Sequence, residues 1–174
     1  PAWKGKVFSI LFKHRTRYVA GTWPRKWKYM YWWTKFSRWW GIGMASAKKL
    51  KEIVERQFSE FVQDLAIITN IDSGNGDPEG TDKVAKIIGG KLQELGAFTE
   101  YRTNERSTHL IARLKGKGTF RLLMMAHIDT VFAKGEAQKR PFCMDDKHIA
   151  YGPGVGDDKA TVILTVYAVK ALNE

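Results

Sequence analysis

From residue 44 onward, apolar side chains recur at spacings that predict alternating helices and strands. Between residues 50 and 65 they follow a three-and-four spacing with charged residues between them, which predicts an amphipathic helix. The same spacing returns in residues 84–95, and Gly96 stands where a helix commonly ends. Residues 160–172 are apolar, and their length and their alanine and leucine content favour a third helix over a buried strand.

Shorter apolar runs between the second and third helices predict strands. They cover residues 98–102, 109–114 and 120–126, and a hairpin is predicted in residues 142–151. Residues 122–126 are apolar throughout, which predicts a central strand buried on both faces. The alternation predicts an α/β fold in which a mixed β-sheet is sandwiched by helices.

Residues 1–43 follow neither a helical nor a strand period, and their composition differs from the rest. They carry ten Lys or Arg, no Asp or Glu, and all seven tryptophans, whereas residues 44–174 carry 19 basic and 18 acidic residues. Ten of the eleven net positive charges therefore belong to this arm, which argues against nucleic-acid binding by the globular part. We predict a basic, Trp-rich arm that is non-native or disordered. The alternative is an arm that stacks on nucleobases or lies on a lipid surface.

The cysteine count and the hydropathy pattern bear on location. Cys143 is the only cysteine, so no disulfide can form within the chain. This fits a reducing compartment, and a cytoplasmic location is expected. The longest apolar run near the start has six residues, which is too short to cross a bilayer, so no membrane span is expected.

The first motif with candidate chemistry is His127-Ile128-Asp129, directly after the apolar run 122–126. In extended backbone, residues two apart point to the same side, so the imidazole and the carboxylate share a face. Such a carboxylate can accept a hydrogen bond from one ring nitrogen and leave the other nitrogen for a metal ion. The alternative is a buried histidine satisfied by a nearby aspartate.

The second motif is a glycine-rich loop, Tyr151-Gly152-Pro153-Gly154-Val155-Gly156, followed by Asp157-Asp158-Lys159. Its glycines permit backbone conformations closed to other residues, so the loop can bring Asp157 against another part of the sheet. The spacing matches neither a P-loop nor the dinucleotide-binding fingerprint. The alternative is a solvated turn that caps the helix after it.

Together, the two motifs resemble the co-catalytic zinc exopeptidases and deacylases of the glutamate carboxypeptidase and aminoacylase family. The similarity is strongest to the folate-cleaving glutamate carboxypeptidases. It covers residues 50–174 and includes the loop Ser73-Gly74-Asn75-Gly76-Asp77-Pro78-Glu79-Gly80 and the run Arg140-Pro141-Phe142. The resemblance implies that residues 44–174 are the N-terminal part of a catalytic domain. It implies a zinc metallopeptidase or amidohydrolase that cleaves a C-terminal or N-acyl amide bond in a small peptide or N-acyl amino acid.

The resemblance also implies roles for individual residues. His127 would ligate one zinc ion, Asp129 would orient and polarise His127 as a catalytic residue, and Asp157 would bridge two zinc ions. The peptide bond between Asp157 and Asp158 would be cis. A complete site would hold two Zn²⁺, with Co²⁺ or Mn²⁺ as alternatives. In one departure from the family pattern, Ala160-Thr161 replaces a pair of glycines.

The family places its general base, its other zinc ligands and a smaller domain beyond the position of Glu174. We therefore expect a catalytically incomplete fragment of an enzyme that forms a homodimer at full length. His109 and His148 match no ligand position, and Asp77 and Glu79 receive no role. Two other functions stay open: a non-catalytic binding module whose basic aromatic arm contacts nucleic acid or membrane, and an inactive family member that serves as a scaffold.

Overall fold

The computed structural model describes residues 7–12, 44–116 and 121–174, with backbone alone for 7–12 and 44–46. The chain divides into two compact units, one formed by residues 1–15 and 59–174 and the other by residues 16–58. The first unit contains every strand that the structure describes and every predicted site residue. None of the described helices is long and apolar enough to cross a membrane.

The three predicted helices are all present, and a fourth, short helix joins them. They are α1 (Met44–Thr69), α2 (Pro78–Glu94), α3 (Glu136–Lys139) and α4 (Ala160–Asn173). Asp77 caps α2, because its carboxylate accepts a hydrogen bond from the Gly80 N–H at 3.0 Å. Gly96 has a φ of +86° after that helix, the left-handed conformation that glycine adopts most readily.

The strands form one mixed sheet and a separate hairpin. The sheet contains β1 (Val7–Phe12), β2 (Phe98–Thr103), β3 (Thr108–Leu114) and β4 (Arg121–Ala126), in the order β2-β3-β1-β4. β1 runs antiparallel to β3 and parallel to β4. The hairpin pairs β5 (Cys143–Met144) with β6 (Ala150–Tyr151). The predicted mixed α/β fold is therefore confirmed.

The arm of residues 1–43 is described only at β1, where Val7–Phe12 lies between β3 and β4. The rest of the arm lies outside the described residues, so its disorder and its contacts with nucleic acid or membrane stay predictions.

The core lies between the helices and one face of the sheet. Leu110 and Ala112 of β3 are fully buried there, together with apolar residues of α1, α2 and α4. The prediction that residues 122–126 are buried on both faces is wrong: Leu123 is 56% exposed and Met125 63%, whereas Ala126 is 8% exposed. The reason is that Leu123 and Met125 point away from the core, and the described helices leave that face of β4 open to solvent.

Candidate metal centre

The first half of the site is the turn that follows β4. The Ile128 side chain is 4% exposed in the core, so it anchors the backbone between His127 and Asp129. His127 and Asp129 meet on one side, as predicted. The His127 Nδ1 atom lies 3.0 Å from the main-chain oxygen of Asp129 and 3.4 Å from its carboxylate Oδ1. Because both neighbours are acceptors, Nδ1 carries the proton in the neutral ring and Nε2 keeps its lone pair.

The second half of the site is the loop that leads into α4. Gly154 has a φ of +83°, and a Cβ atom added there would lie 2.9 Å from Thr130 Cγ2 and 3.0 Å from Lys159 Cδ. Glycine therefore lets this loop press against Thr130, the residue next to Asp129. The peptide bond between Asp157 and Asp158 is cis, as the family resemblance implied.

The two halves meet at the imidazole of His127. Its Nε2 atom lies 2.9 Å from Asp157 Oδ1, and its backbone N–H donates to Asp158 Oδ2 at 3.3 Å. The Asp129 carboxylate raises the pKa of His127 to about 9, with a further contribution from Asp157, while partial burial acts in the opposite direction. Without a metal, the ring is therefore an imidazolium held between two carboxylates.

A cavity of about 270 Å³ opens beside this pair. Val131 forms an apolar part of its wall and is 78% exposed. The cavity is lined by His127, Asp129, Thr130, Val131, Phe132, Gly152, Gly154, Gly156 and Asp157. The three predicted site residues thus border one open space, which is large enough for a small chemical group.

The donor atoms fit part of a zinc site. An imidazole nitrogen and a carboxylate oxygen are common zinc ligands, and the hydrogen bond from Nδ1 to Asp129 fixes the ring for binding through Nε2. Within residues 44–116 and 121–174, however, no group of three or more His, Cys, Asp and Glu could hold a metal ion. His127 and Asp157 therefore supply two donors, whereas zinc sites in proteins use about three or four protein ligands.

The residues given no metal role lie elsewhere and have other contacts. His109 is in β3, with Nε2 3.5 Å from Asn104 Nδ2, and His148 is in the turn of the hairpin with a φ of +61°. Glu79 pairs with Lys83 and Lys134 on the surface. None of these residues lines the cavity.

One buried residue beside the site, Lys159, had no predicted role. Its side chain is fully buried, and its Nζ atom donates to the main-chain oxygens of Ile68 at 2.8 Å and Ile71 at 2.7 Å. Burial lowers the pKa of Lys159 to about 8, and the charge of Asp72 opposes this effect. The signal in the sequence was a single basic residue where a glycine-rich loop meets an apolar helix.

Comparisons with known proteins bear on the family of the chain. Residues 123–174, which include His127, Asp129 and Asp157, match the family model described as "Peptidase family M20/M25/M40". The chain is also 36% identical over 141 residues to Carboxypeptidase G2 of Pseudomonas sp. (strain RS-16). That match covers 76% of this chain and 33% of the relative, so the chain spans about a third of the length of that protein.

Proposed function

We propose, since the chain belongs to the M20/M25/M40 family of peptidases, that it contributes His127 and Asp157 to a zinc centre that hydrolyses amide bonds. The observation that carries the proposal is the 2.9 Å approach of His127 Nε2 to Asp157 Oδ1, with Nδ1 turned towards Asp129. One nitrogen and one carboxylate oxygen thus face each other beside an open cavity.

Each residue has one part in this proposal. His127 binds a zinc ion through Nε2, and Asp129 holds the proton on Nδ1, which keeps the ring in the orientation that binds metal. Asp157 would hold the metal centre through its carboxylate. When bound, the metal polarises the amide carbonyl and lowers the pKa of bound water to about 7.

The family and the open cavity support a proposal for the substrate class. We propose a small peptide or an N-acyl amino acid, cleaved at a C-terminal or N-acyl amide bond. Val131 and Phe132 would contact the apolar part of such a substrate, because both line the cavity next to His127. Co²⁺ or Mn²⁺ as the working metal, a homodimer and a cytoplasmic location stay predictions.

The test is zinc binding by the native polypeptide that carries these residues, measured by competition with a chromophoric chelator. We expect His127→Ala and Asp157→Ala each to weaken binding by about a hundredfold or more, because each removes a ligand. His148→Ala and Asp146→Ala are matched controls on the hairpin and should leave affinity unchanged. Equal affinity in all four variants would contradict the proposal.

The same ligand count predicts the behaviour of residues 1–174 tested alone. We expect negligible hydrolysis and weak zinc binding, because the described residues offer two donors to an ion that takes about three or four. Tight binding of two zinc ions by residues 1–174, or turnover that is lost on Asp157→Ala, would refute this expectation.

The alternative functions remain predictions. A binding module that works through its basic arm would lose nucleic-acid affinity steeply between low and physiological salt. Neutralising the Lys and Arg residues of positions 13–43, which leaves β1 in place between β3 and β4, would abolish that binding, whereas zinc binding by His127 and Asp157 would persist. An inactive scaffold would bind zinc without hydrolysis in the native polypeptide.

A further inference from the structure

Residues 68–75, which comprise the C-terminal end of α1 and the residues after it, contact both halves of the candidate site. We infer that this 68–75 segment sets the separation between His127 and Asp157, and that Lys159 is the positioning residue on the Asp157 side. The inference rests on the proposed function, because it concerns the alignment of two donors towards a shared metal centre.

On the Asp157 side, the contact is made by the ammonium group of Lys159. Nζ donates to the oxygens of Ile68 and Ile71, and the main-chain N–H of Lys159 donates to the oxygen of Gly154 at 2.8 Å. The side-chain stem also packs against Gly154. Lys159 therefore ties the loop that carries Asp157 to the C-terminal end of α1.

On the His127 side, the contact is made by Ser73. Its hydroxyl donates to the oxygen of Ile128 at 2.8 Å, and its main-chain oxygen accepts from the Thr130 N–H at 2.8 Å. Ser73 is fully buried, so these bonds are shielded from water. The turn that carries His127 and Asp129 is thus held on both sides of Asp129 by a single residue.

A third contact adds stiffness to the segment itself. The Asp72 carboxylate accepts hydrogen bonds from the N–H groups of Gly135 at 2.7 Å and Ala137 at 2.9 Å. The segment therefore has fixed partners at the first motif, between the two motifs and within the second motif. Its position cannot shift without moving several hydrogen bonds at once.

Packing between α1 and α4 does not explain why the buried residue at position 159 is charged rather than apolar. The same two helices are also joined by Lys170, whose ammonium pairs with Glu60 of α1 near the surface. A buried lysine is costly unless its donors are satisfied, and apolar residues often replace buried charges without loss of stability. What Lys159 adds is two directional bonds to carbonyls at a helix C-terminus, where the helix dipole favours a cation.

The experiment compares two lysines in the native polypeptide: Lys159, directly before α4, and Lys170, within α4. Lys159→Met keeps the length of the side chain but removes its donors, and Lys170→Met makes the same change on an ion pair at the surface. Zinc affinity is measured for both by chelator competition, at a temperature where circular dichroism shows each variant to be folded. Ser73→Ala and the Ser73→Ala/Lys159→Met double variant complete the set.

We expect Lys159→Met to weaken zinc binding by about 10- to 100-fold, the usual loss when a residue that orients metal ligands is changed. Lys170→Met should stay within about twofold of the wild type, since it lies away from the site. Because Ser73 and Lys159 act through one segment, the two losses should not add in the double variant.

Equal zinc affinity in Lys159→Met and Lys170→Met, with both folded, would overturn the inference. If Lys159→Met does not fold, Ser73→Ala decides: unchanged affinity overturns the inference, and a weakened affinity supports it. The proposed function fails separately, when the wild type binds zinc no more tightly than His127→Ala.

Discussion

The two faces of the sheet contrast sharply, although the same strands supply both. On the inner face, Leu110 and Ala112 of β3 are fully buried under α2 and α4. On the outer face, Leu123 and Met125 of β4 and Phe98 of β2 are 56%, 63% and 67% exposed. Strand register decides the difference, because alternate residues point to opposite faces.

This contrast shows that an apolar strand is not the same as a buried one. Residues 122–126 of β4 are all apolar, yet Met124 packs against the core while its two neighbours are exposed. An exposed apolar face of this kind commonly marks a surface for another layer or partner. The candidate metal centre lies where this strand ends, so it adjoins both the packed and the open side.

The largest expected effect comes from deleting volume on the inner face. Leu110→Ala should lower the free energy of unfolding by about 2–5 kcal/mol, because Leu110 is fully buried and its loss leaves a cavity. Leu123→Ala is the matched control on the outer face and should cost less than about 1 kcal/mol. Urea denaturation measures both, and equal losses would show that the outer face is covered in solution.

The next effect concerns pH at the end of β4, where His127 lies two residues after the exposed Met125. The folded pKa of His127, about 9, lies above its ordinary value of 6.5, so its stabilising contribution is complete below pH 6.5. That contribution is lost as pH rises towards about 9. The slope should stay below the one-proton limit of about 1.4 kcal/mol per pH unit, because solvent screens the partly open site.

Metal-free protein is the sample for this measurement, and urea denaturation at pH 6 and pH 9 gives the two stabilities. His127→Gln should remove the fall in stability over that range. A wild type that becomes more stable between pH 6.5 and 9, relative to this variant, would contradict the raised pKa.

A smaller effect is expected at the rim of the packed side. The Tyr167 hydroxyl donates to the buried Asp64 carboxylate at 2.7 Å, and Lys91 contacts the same oxygen at 2.7 Å. Tyr167→Phe should cost about 1 kcal/mol, because Lys91 still compensates the carboxylate. Thermal melting measures the change. A loss as large as that of Leu110→Ala would mean that the contacts among Tyr167, Asp64 and Lys91, rather than the apolar core, supply most of the stability on the packed side of the sheet.

The smallest effect on stability is expected on the outer face. Met125→Thr should change the free energy of unfolding by less than about 0.5 kcal/mol, since Met125 is 63% exposed and threonine suits a strand. The same change should reduce self-association, which sedimentation velocity measures, because it removes one of the exposed apolar side chains on the outer face of the sheet. Stronger association of the variant would argue against that role.

The local pattern of apolar and polar residues was enough to predict most of the helices and strands. The helices at Met44–Thr69, Pro78–Glu94 and Ala160–Asn173 and the strands β2 to β4 follow from spacing, which neighbouring residues determine. Proximity of His127 to Asp129 follows in the same way, from their spacing of two. Their approach to Asp157 was expected only from the family resemblance, because 30 residues separate the motifs.

What the sequence could not predict depends on which surfaces pack together. The contact of Lys159 with Ile68 and Ile71 requires the glycine-rich loop to lie under the end of α1, and no periodicity encodes that. The exposure of Met125 depends on the layer that covers the sheet. The strand Val7–Phe12 lies in a region with no regular alternation, so its pairing with β3 and β4 rests on tertiary structure alone.

The bond from Lys159 to the oxygen of Ile68 joins residues 91 apart, and that from Ser73 to Ile128 joins residues 55 apart. Closing such long loops costs chain entropy before any contact repays it, whereas a helix turn closes over a few residues in under about a microsecond. The candidate ligands therefore align only after α4 has docked against α1. In pulsed hydrogen exchange during refolding, we expect the amides of α1 and α2 to become protected before those of residues 127–130.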